Sequence, residues 1–196
     1  MSEQAADVVI VGAGPAGTAA AITLAKAGKR VVVVDKATFP RDKCCGDGLT
    51  TGALRRLQSL GLDPSTIPSW QPVEDIWISS SSRRVVHYPL PRHQGLFAAV
   101  ATRLDLDNAL VELARHAGAQ VLDGHAMTGA TQDHDGVRIT VDGPGGRDAV
   151  ITAPFAIGAD GMWSPLRKLL AGPVTGGPTQ PYLGEWHGYR DRKSVV

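Results

Sequence analysis

The sequence is poor in several features that would assign it to a class directly. Of its 196 residues only two are cysteines, Cys44 and Cys45, and their adjacency excludes a disulfide framework and fits a reducing cytosol. Basic and acidic residues nearly balance, 20 against 19, so no basic surface predicts nucleic-acid binding. No apolar run is long enough to span a bilayer, and the polar first seven residues lack the basic segment of a signal peptide. We therefore expect a cytoplasmic globular protein.

Glycine, in contrast, is plentiful, and one glycine cluster lies between two strongly apolar segments. Residues 7–11 form a β-branched run typical of a strand buried on both faces of a parallel sheet. Residues 15–27 read as an alanine-rich helix that Gly28 is well placed to end. Residues 30–34 form a second buried strand, which runs into Asp35. The pattern predicts a compact β-α-β unit.

The glycines of this unit have the spacing of a dinucleotide-binding loop. Gly12 permits a tight turn, Gly14 lets the backbone approach a pyrophosphate, and Gly17 lets the helix pack closely on the strand. The anion would lie at the helix N-terminus, where free N–H groups and the helix dipole favour it. Asp35 would accept hydrogen bonds from ribose hydroxyls. The alternative is a helix-start turn that binds no ligand.

The remaining segments continue an α/β pattern. Residues 39–51 are predicted to be a loop, 52–60 a helix, and 73–79 and 83–88 two strands joined by a serine turn. A helix is expected from 102 or 103 to 117, a strand over 119–122, a three-stranded meander over 125–153 and a last parallel strand over 155–158. We therefore predict a Rossmann-like α/β domain with a parallel sheet and a β-meander crossover, plus the start of an antiparallel-sheet substrate domain.

Four motifs occur in an order that resembles a known flavoprotein family. The glycine loop is followed by Phe39-Pro40-Arg41 with Cys45-Gly46-Asp47-Gly48-Leu49, then by Arg103-Leu104-Asp105-Leu106-Asp107, and then by Gly158-Ala159-Asp160-Gly161. Together they resemble the geranylgeranyl reductase family within the superfamily of FAD-dependent hydroxylase-like proteins. The resemblance implies an FAD-binding domain made of residues 1–72 and 96–172, and a partial substrate domain made of residues 73–95 and 173–190.

The resemblance also implies roles for individual residues. Arg103 would contact the phosphate or ribityl part of FAD; the alternative is a surface salt bridge with Asp107. Asp160 would shape the cofactor site, unless it is an ordinary turn aspartate before Gly161. The full set of candidate cofactor-binding residues is Gly12, Gly14, Pro15, Ala16, Gly17, Asp35, Lys36, Arg41, Cys45, Gly46, Asp47, Gly48, Arg103, Ala126, Asp160 and Gly161.

Cys45 is the candidate catalytic residue. In the prenyl reductases that the sequence resembles, this loop lies near the flavin ring, so Cys45 would tune the ring or guide protonation. The alternative is a small, half-buried cysteine without a chemical role. Because no further cysteine or histidine stands at ligand spacing, we predict no metal site.

The implied activity is reduction of isoprenoid C=C bonds, with NAD(P)H as the electron donor and an isoprenoid or lipid-like small molecule as the substrate. Such a substrate would also allow peripheral membrane association. The alternatives are an FAD-dependent monooxygenase or halogenase and a nucleotide-binding fragment without catalysis. Residues 191–196 fit the family poorly, and one codon string for them matches a sequencing adapter, so we expect a non-native tail on a truncated gene product.

Overall fold

A computed structural model describes residues 2–45, 47–91, 95–146 and 148–170. These residues divide into two compact units, the first made of residues 2–41 and 110–170 and the second of residues 42–109. The predicted domain ranges remain a prediction. Gly46, the predicted substrate-domain segment 173–190 and the expected tail, 191–196, lie outside the described residues.

Along the described residues, groups of strands alternate with helices. The strands are β1 (Ser2–Ala5), β2 (Val8–Val11), β3 (Val31–Asp35), β4 (Gly48–Thr50), β5 (Gln71–Pro72), β6 (Asp75–Ser79), β7 (Val85–Pro89), β8 (Ala98–Val100), β9 (Gln120–Asp123), β10 (Ala126–Gln132), β11 (Val137–Asp142), β12 (Ala149–Ala153) and β13 (Phe155–Gly158). The α-helices are α1 (Pro15–Lys26), α2 (Thr51–Leu60), α3 (Arg103–His116) and α4 (Pro165–Leu170), and Pro64–Thr66 form a 3-10 turn.

The first unit contains two four-stranded sheets. The parallel sheet has the order β13-β2-β3-β9, and the second sheet has the order β1-β12-β11-β10, in which β10 to β12 form the antiparallel meander. Valines of β2 and β3 pack in one core cluster with Ile139, Val141 and Ile151 of the meander. This arrangement confirms the predicted α/β class, because β-branched runs bury both faces of the parallel strands.

Strand β1 was not predicted, since its sequence, Ser-Glu-Gln-Ala, is polar. It pairs in parallel with β12, in the register Glu3 with Val150 and Ala5 with Thr152. The Ala6 N–H continues the pairing by donating to the Thr152 carbonyl at 2.9 Å. Strand β1 is held by main-chain hydrogen bonds to β12, which is distant in the sequence. The spacing of apolar residues within β1 therefore gives no signal for it.

The second unit contains a three-stranded sheet, β4-β8-β5, and the hairpin β6–β7. The prediction that residues 39–51 are all loop was wrong at its end, because Gly48 to Thr50 pair with β8 and Thr51 already begins α2. Thr50 caps α2 by accepting from the Ala53 N–H at 3.4 Å, and Gly61 ends the helix with φ +87°. The predicted serine turn lies between β6 and β7, where the Arg83 N–H donates to the Ser80 carbonyl.

None of the helices in the described ranges is both long and apolar enough to cross a membrane.

Candidate cofactor site

The glycine loop of the first unit leaves no space for side chains at two positions. Gly12 has φ +104°, and a Cβ there would lie 2.3 Å from the Ala159 carbonyl oxygen. A Cβ on Gly17 would lie 1.8 Å from the Gly12 carbonyl oxygen. The Ala159 N–H also donates to the Val11 carbonyl at 2.7 Å, which joins the loop to the turn after β13. Glycine is therefore required at 12 and 17 by direct backbone contact.

The loop leads into the N-terminus of α1, which carries no side-chain cap. Gly14 is the N-cap residue in an extended conformation, and Pro15 occupies the first turn. The first turn contains no acidic residue, and the first intrahelical bond runs from the Thr18 N–H to the Gly14 carbonyl at 2.9 Å. The N–H groups of Ala16 and Gly17 thus stand at the positive end of a 12-residue helix, where an anion is favourable.

Asp35 connects the end of β3 to the glycine loop. Its Oδ2 accepts the Ala13 N–H at 2.7 Å, and its Oδ1 accepts the Ala37 N–H at 2.9 Å. A carboxylate offers about four acceptor positions, so each oxygen retains capacity for a hydroxyl donor. Lys36 follows as an exposed side chain. That Asp35 binds a ribose stays a prediction, and its geometry is suited to that role.

Asp160 lies in the turn after β13, and its two carboxylate oxygens have different surroundings. Its Oδ2 accepts the Leu166 N–H at 3.0 Å, and Gly161 follows with φ +90°. Its Oδ1 is buried and has no hydrogen-bond partner among the described residues. A buried carboxylate oxygen without a donor is unfavourable, so a hydroxyl-bearing group next to it would be stabilised.

Arg103 and Asp107 form a charge pair in the second unit. Arg103 Nε and Nη2 donate to the two carboxylate oxygens of Asp107, each at 2.7 Å. Asp107 is fully buried and the Arg103 side chain is 13% exposed, so the pair is not the surface salt bridge of the alternative interpretation. The pKa of Arg103 is raised above its ordinary value. The hydrogen bonds to Asp107 are the main cause and outweigh the opposite effect of burial, and Cys45 adds a smaller contribution in the same direction.

The loop with the candidate catalytic cysteine lies in the same unit. Cys45 is half-buried, whereas Cys44 is exposed. Asp47 is buried with φ +54°, and its carbonyl accepts the Ala101 N–H at 3.1 Å, next to the start of β4 at Gly48. Gly46 lies outside the described residues. A chemical role for Cys45 stays a prediction.

The structure thus brings the predicted residues together in two groups, one in each unit. The first unit holds the glycine loop, Asp35 and the 160–161 turn; it also holds Ala126 at the start of β10 and Arg41, whose guanidinium lies 5.0 Å from the Phe39 ring centre. The second unit holds Cys45, Asp47, Gly48 and Arg103. Sequence reasoning missed Ala159, whose carbonyl makes Gly12 obligatory, although the motif containing it was recognised.

The absence of a metal site stays a prediction. At the exposed turn between β10 and β11, ligand atoms of Asp133, His134 and Asp135 lie within 4.8 Å of one another. Exposed acidic turns commonly have this geometry without an ion, so it carries no conclusion.

Comparison with known proteins decides the family. Residues 5–186 match the family described as FAD binding domain. The chain belongs to that family. FAD fits the residues present, because the glycine loop excludes Cβ atoms, the α1 N-terminus favours a pyrophosphate, and Asp160 Oδ1 is a buried acceptor without a donor in the described structure.

Similar proteins include reductases and hydroxylases. Menaquinone reductase of Mycobacterium tuberculosis is 40% identical over 169 residues, which are 86% of this chain and 40% of the reductase. The 3-(3-hydroxy-phenyl)propionate/3-hydroxycinnamic acid hydroxylase of Paraburkholderia xenovorans is 34% identical over 181 residues, which are 87% of this chain and 28% of the hydroxylase. A geranylgeranyl bacteriochlorophyll reductase-like structure from Thermoplasma acidophilum has a TM-score of 0.70 at 25% identity, over 82% of this chain and 40% of that one. The chain therefore spans two fifths or less of each of these proteins.

Proposed function

We propose that the protein is an FAD-dependent reductase that takes electrons from NAD(P)H and saturates a C=C bond of an isoprenoid-bearing substrate. The observation that carries the proposal is the glycine loop closed against Asp35 and the 158–161 turn, a backbone cradle for a dinucleotide. The reductase direction is supported by the 40% identity to a menaquinone reductase and by the likeness to a geranylgeranyl reductase-like structure.

Different residues of the chain would bind different parts of FAD. The first-turn N–H groups of α1 would hold the pyrophosphate, Asp35 would accept ribose hydroxyls, and Asp160 would accept a ribityl hydroxyl. When bound, FAD supplies hydride transfer. The reaction balances as alkene plus NAD(P)H plus a proton, giving the saturated product and NAD(P)⁺. Cys45 would guide the proton.

A monooxygenase is the second candidate, and the hydroxylase relatives favour it. In that case the substrate, NAD(P)H, a proton and O₂ would give the hydroxylated substrate, NAD(P)⁺ and water. The two candidates differ in their need for oxygen. We expect the full chain to oxidise NAD(P)H anaerobically in the presence of a menaquinone. The product should remain two hydrogens heavier by mass spectrometry after air has re-oxidised any quinol to the quinone, which places the added hydrogens in the isoprenoid chain. Turnover that requires O₂ and adds one oxygen atom to 3-(3-hydroxyphenyl)propionate would refute the reductase.

Cofactor binding is tested separately from turnover. Titration of the chain with FAD, followed by flavin fluorescence, gives a dissociation constant. Asp35→Asn removes a charge from the loop, and Asp142→Asn, at an exposed position at the end of β11, is the matched control. We expect Asp35→Asn to weaken FAD binding about tenfold and the control to leave it unchanged. A purified chain that carries no flavin and gains none on addition of FAD would instead support a nucleotide-binding fragment that lacks flavin chemistry.

A further inference from the structure

The second unit contains a cavity that the cofactor site does not use. Its volume is about 410 Å³, within the range of about 300–1,000 Å³ typical of small-molecule pockets. Its walls are mainly alkyl and aromatic, as ligand pockets generally are. The apolar wall consists of Leu54, Leu57, Leu62, Trp70, Leu96 and Phe97.

Helix α2 supplies one side of this cavity. The helix is strongly amphipathic, yet none of its residues is buried. Leu54 and Leu57, three positions apart and therefore neighbours on one helix face, point their apolar surface into the cavity. A ten-residue helix has little stability by itself, so apolar contact from an occupant would stabilise it.

The polar groups of the cavity indicate the charge of the occupant. Arg55 is the one charged residue in the described lining, and none of the lining residues is acidic. The Thr51 hydroxyl is already used, since it donates to the Phe97 carbonyl at 2.6 Å. The exposed Arg55 guanidinium can form a bidentate pair with a carboxylate, and a single cation matches a single negative charge.

We propose that this cavity binds an aliphatic molecule with a carboxylate end. The chain lies along the leucine, tryptophan and phenylalanine wall, and the carboxylate pairs with Arg55. The proposal is independent of FAD binding, because none of the residues that line the cavity is a candidate cofactor-binding residue.

Trp70 provides the direct test, because it lines the cavity. We expect 12-bromododecanoate, below its micelle-forming concentration, to quench the fluorescence of the full chain saturably and to lose this saturable quenching with Trp70→Phe. Shortening the unbrominated competitor from dodecanoate to decanoate should weaken competition about fifteenfold, since it removes two methylenes and each buried methylene contributes about fourfold. Absence of saturable quenching, or equal quenching in Trp70→Phe, would overturn the proposal.

The charge requirement is tested with two neighbouring arginines of α2. Arg55→Gln should weaken dodecanoate binding about tenfold, while Arg56→Gln, an exposed neighbour outside the cavity lining, should leave it unchanged. Dodecyltrimethylammonium, with the same chain and a cationic end, should bind more weakly than dodecanoate to the parent. Equal effects of both substitutions would overturn the carboxylate assignment. A dimer in light scattering that excludes dodecanoate would assign the cavity to a second copy of the chain instead.

Discussion

The two units of the protein differ in how large a share of their apolar side chains they bury, although each unit has both buried and exposed ones. In the first unit, all four residues of β2 are buried, and so are the four valines of β3. In the second unit, the hairpin β6–β7 leaves Trp77 67% exposed and Ile78 55% exposed, and α2 has no buried residue. Burial of apolar area is the dominant favourable contribution to folding, so the first unit derives far more stability from it.

Besides a few buried apolar side chains, the second unit has polar contacts around α3. The Ser69 N–H donates to Asp105 at 3.1 Å, and the Ser69 and Thr102 hydroxyls lie 3.0 Å apart. Arg103 and the buried Asp107 form the strongest of these contacts. We therefore expect the loss of one buried polar group in the second unit to lower the free energy of unfolding as much as a steric clash in the core of the first unit does.

The largest expected effect tests the polar side of this comparison. Asp107→Ala leaves the Arg103 charge largely buried without its partner, which we expect to cost about 4 kcal/mol of unfolding free energy. Glu112→Ala, on the same helix, removes the exposed partner of Arg115 and should cost less than about 1 kcal/mol. Denaturant unfolding of both variants measures the difference. Similar losses in the two variants would show that burial of the pair is energetically unimportant.

A somewhat smaller effect tests the packed side. Gly17→Ala places a Cβ 1.8 Å from the Gly12 carbonyl oxygen, so the helix must shift, at a cost of about 3 kcal/mol and with loss of FAD binding. Gly52→Ala, in the first turn of α2, meets only the Thr50 hydroxyl at 3.9 Å and should stabilise the chain by roughly 0.5 kcal/mol. Thermal unfolding and flavin titration distinguish the two. Tolerance of Gly17→Ala in both measurements would contradict the close packing of the loop.

The smallest expected effect concerns pH. Hydrogen bonds from Arg30 lower the pKa of Asp7 below its ordinary value, so the carboxylate stabilises the fold above that ordinary value. This contribution is lost as the pH falls through the lowered pKa in the folded protein. Asp7→Asn should therefore flatten the acid side of a plot of Tm against pH below about pH 4, and Asp142→Asn should not. Unchanged curves for both variants would indicate that the exposed pair contributes nothing.

Much of the first unit could be predicted from sequence because its signals are local. The β-branched runs of β2 and β3, the glycines at 12 and 17 and the position of Asp35 all lie within one β-α-β segment. Strand β1 could not be predicted in the same way, since it depends on pairing with residues 149–152. The charge pair of Arg103 and Asp107 was visible as an i,i+4 spacing, but its burial was not.

By itself, the amino-acid sequence determined the β2-α1-β3 unit and the position of its dinucleotide loop, because hydrophobic periodicity and glycine spacing act over a few neighbouring residues. The tertiary structure decided which contacts the loop makes, that Asp160 Oδ1 is buried, that Asp107 is withdrawn from water and that α2 borders a cavity. These properties depend on segments that are distant in the chain, and local sequence patterns do not specify the distances between them.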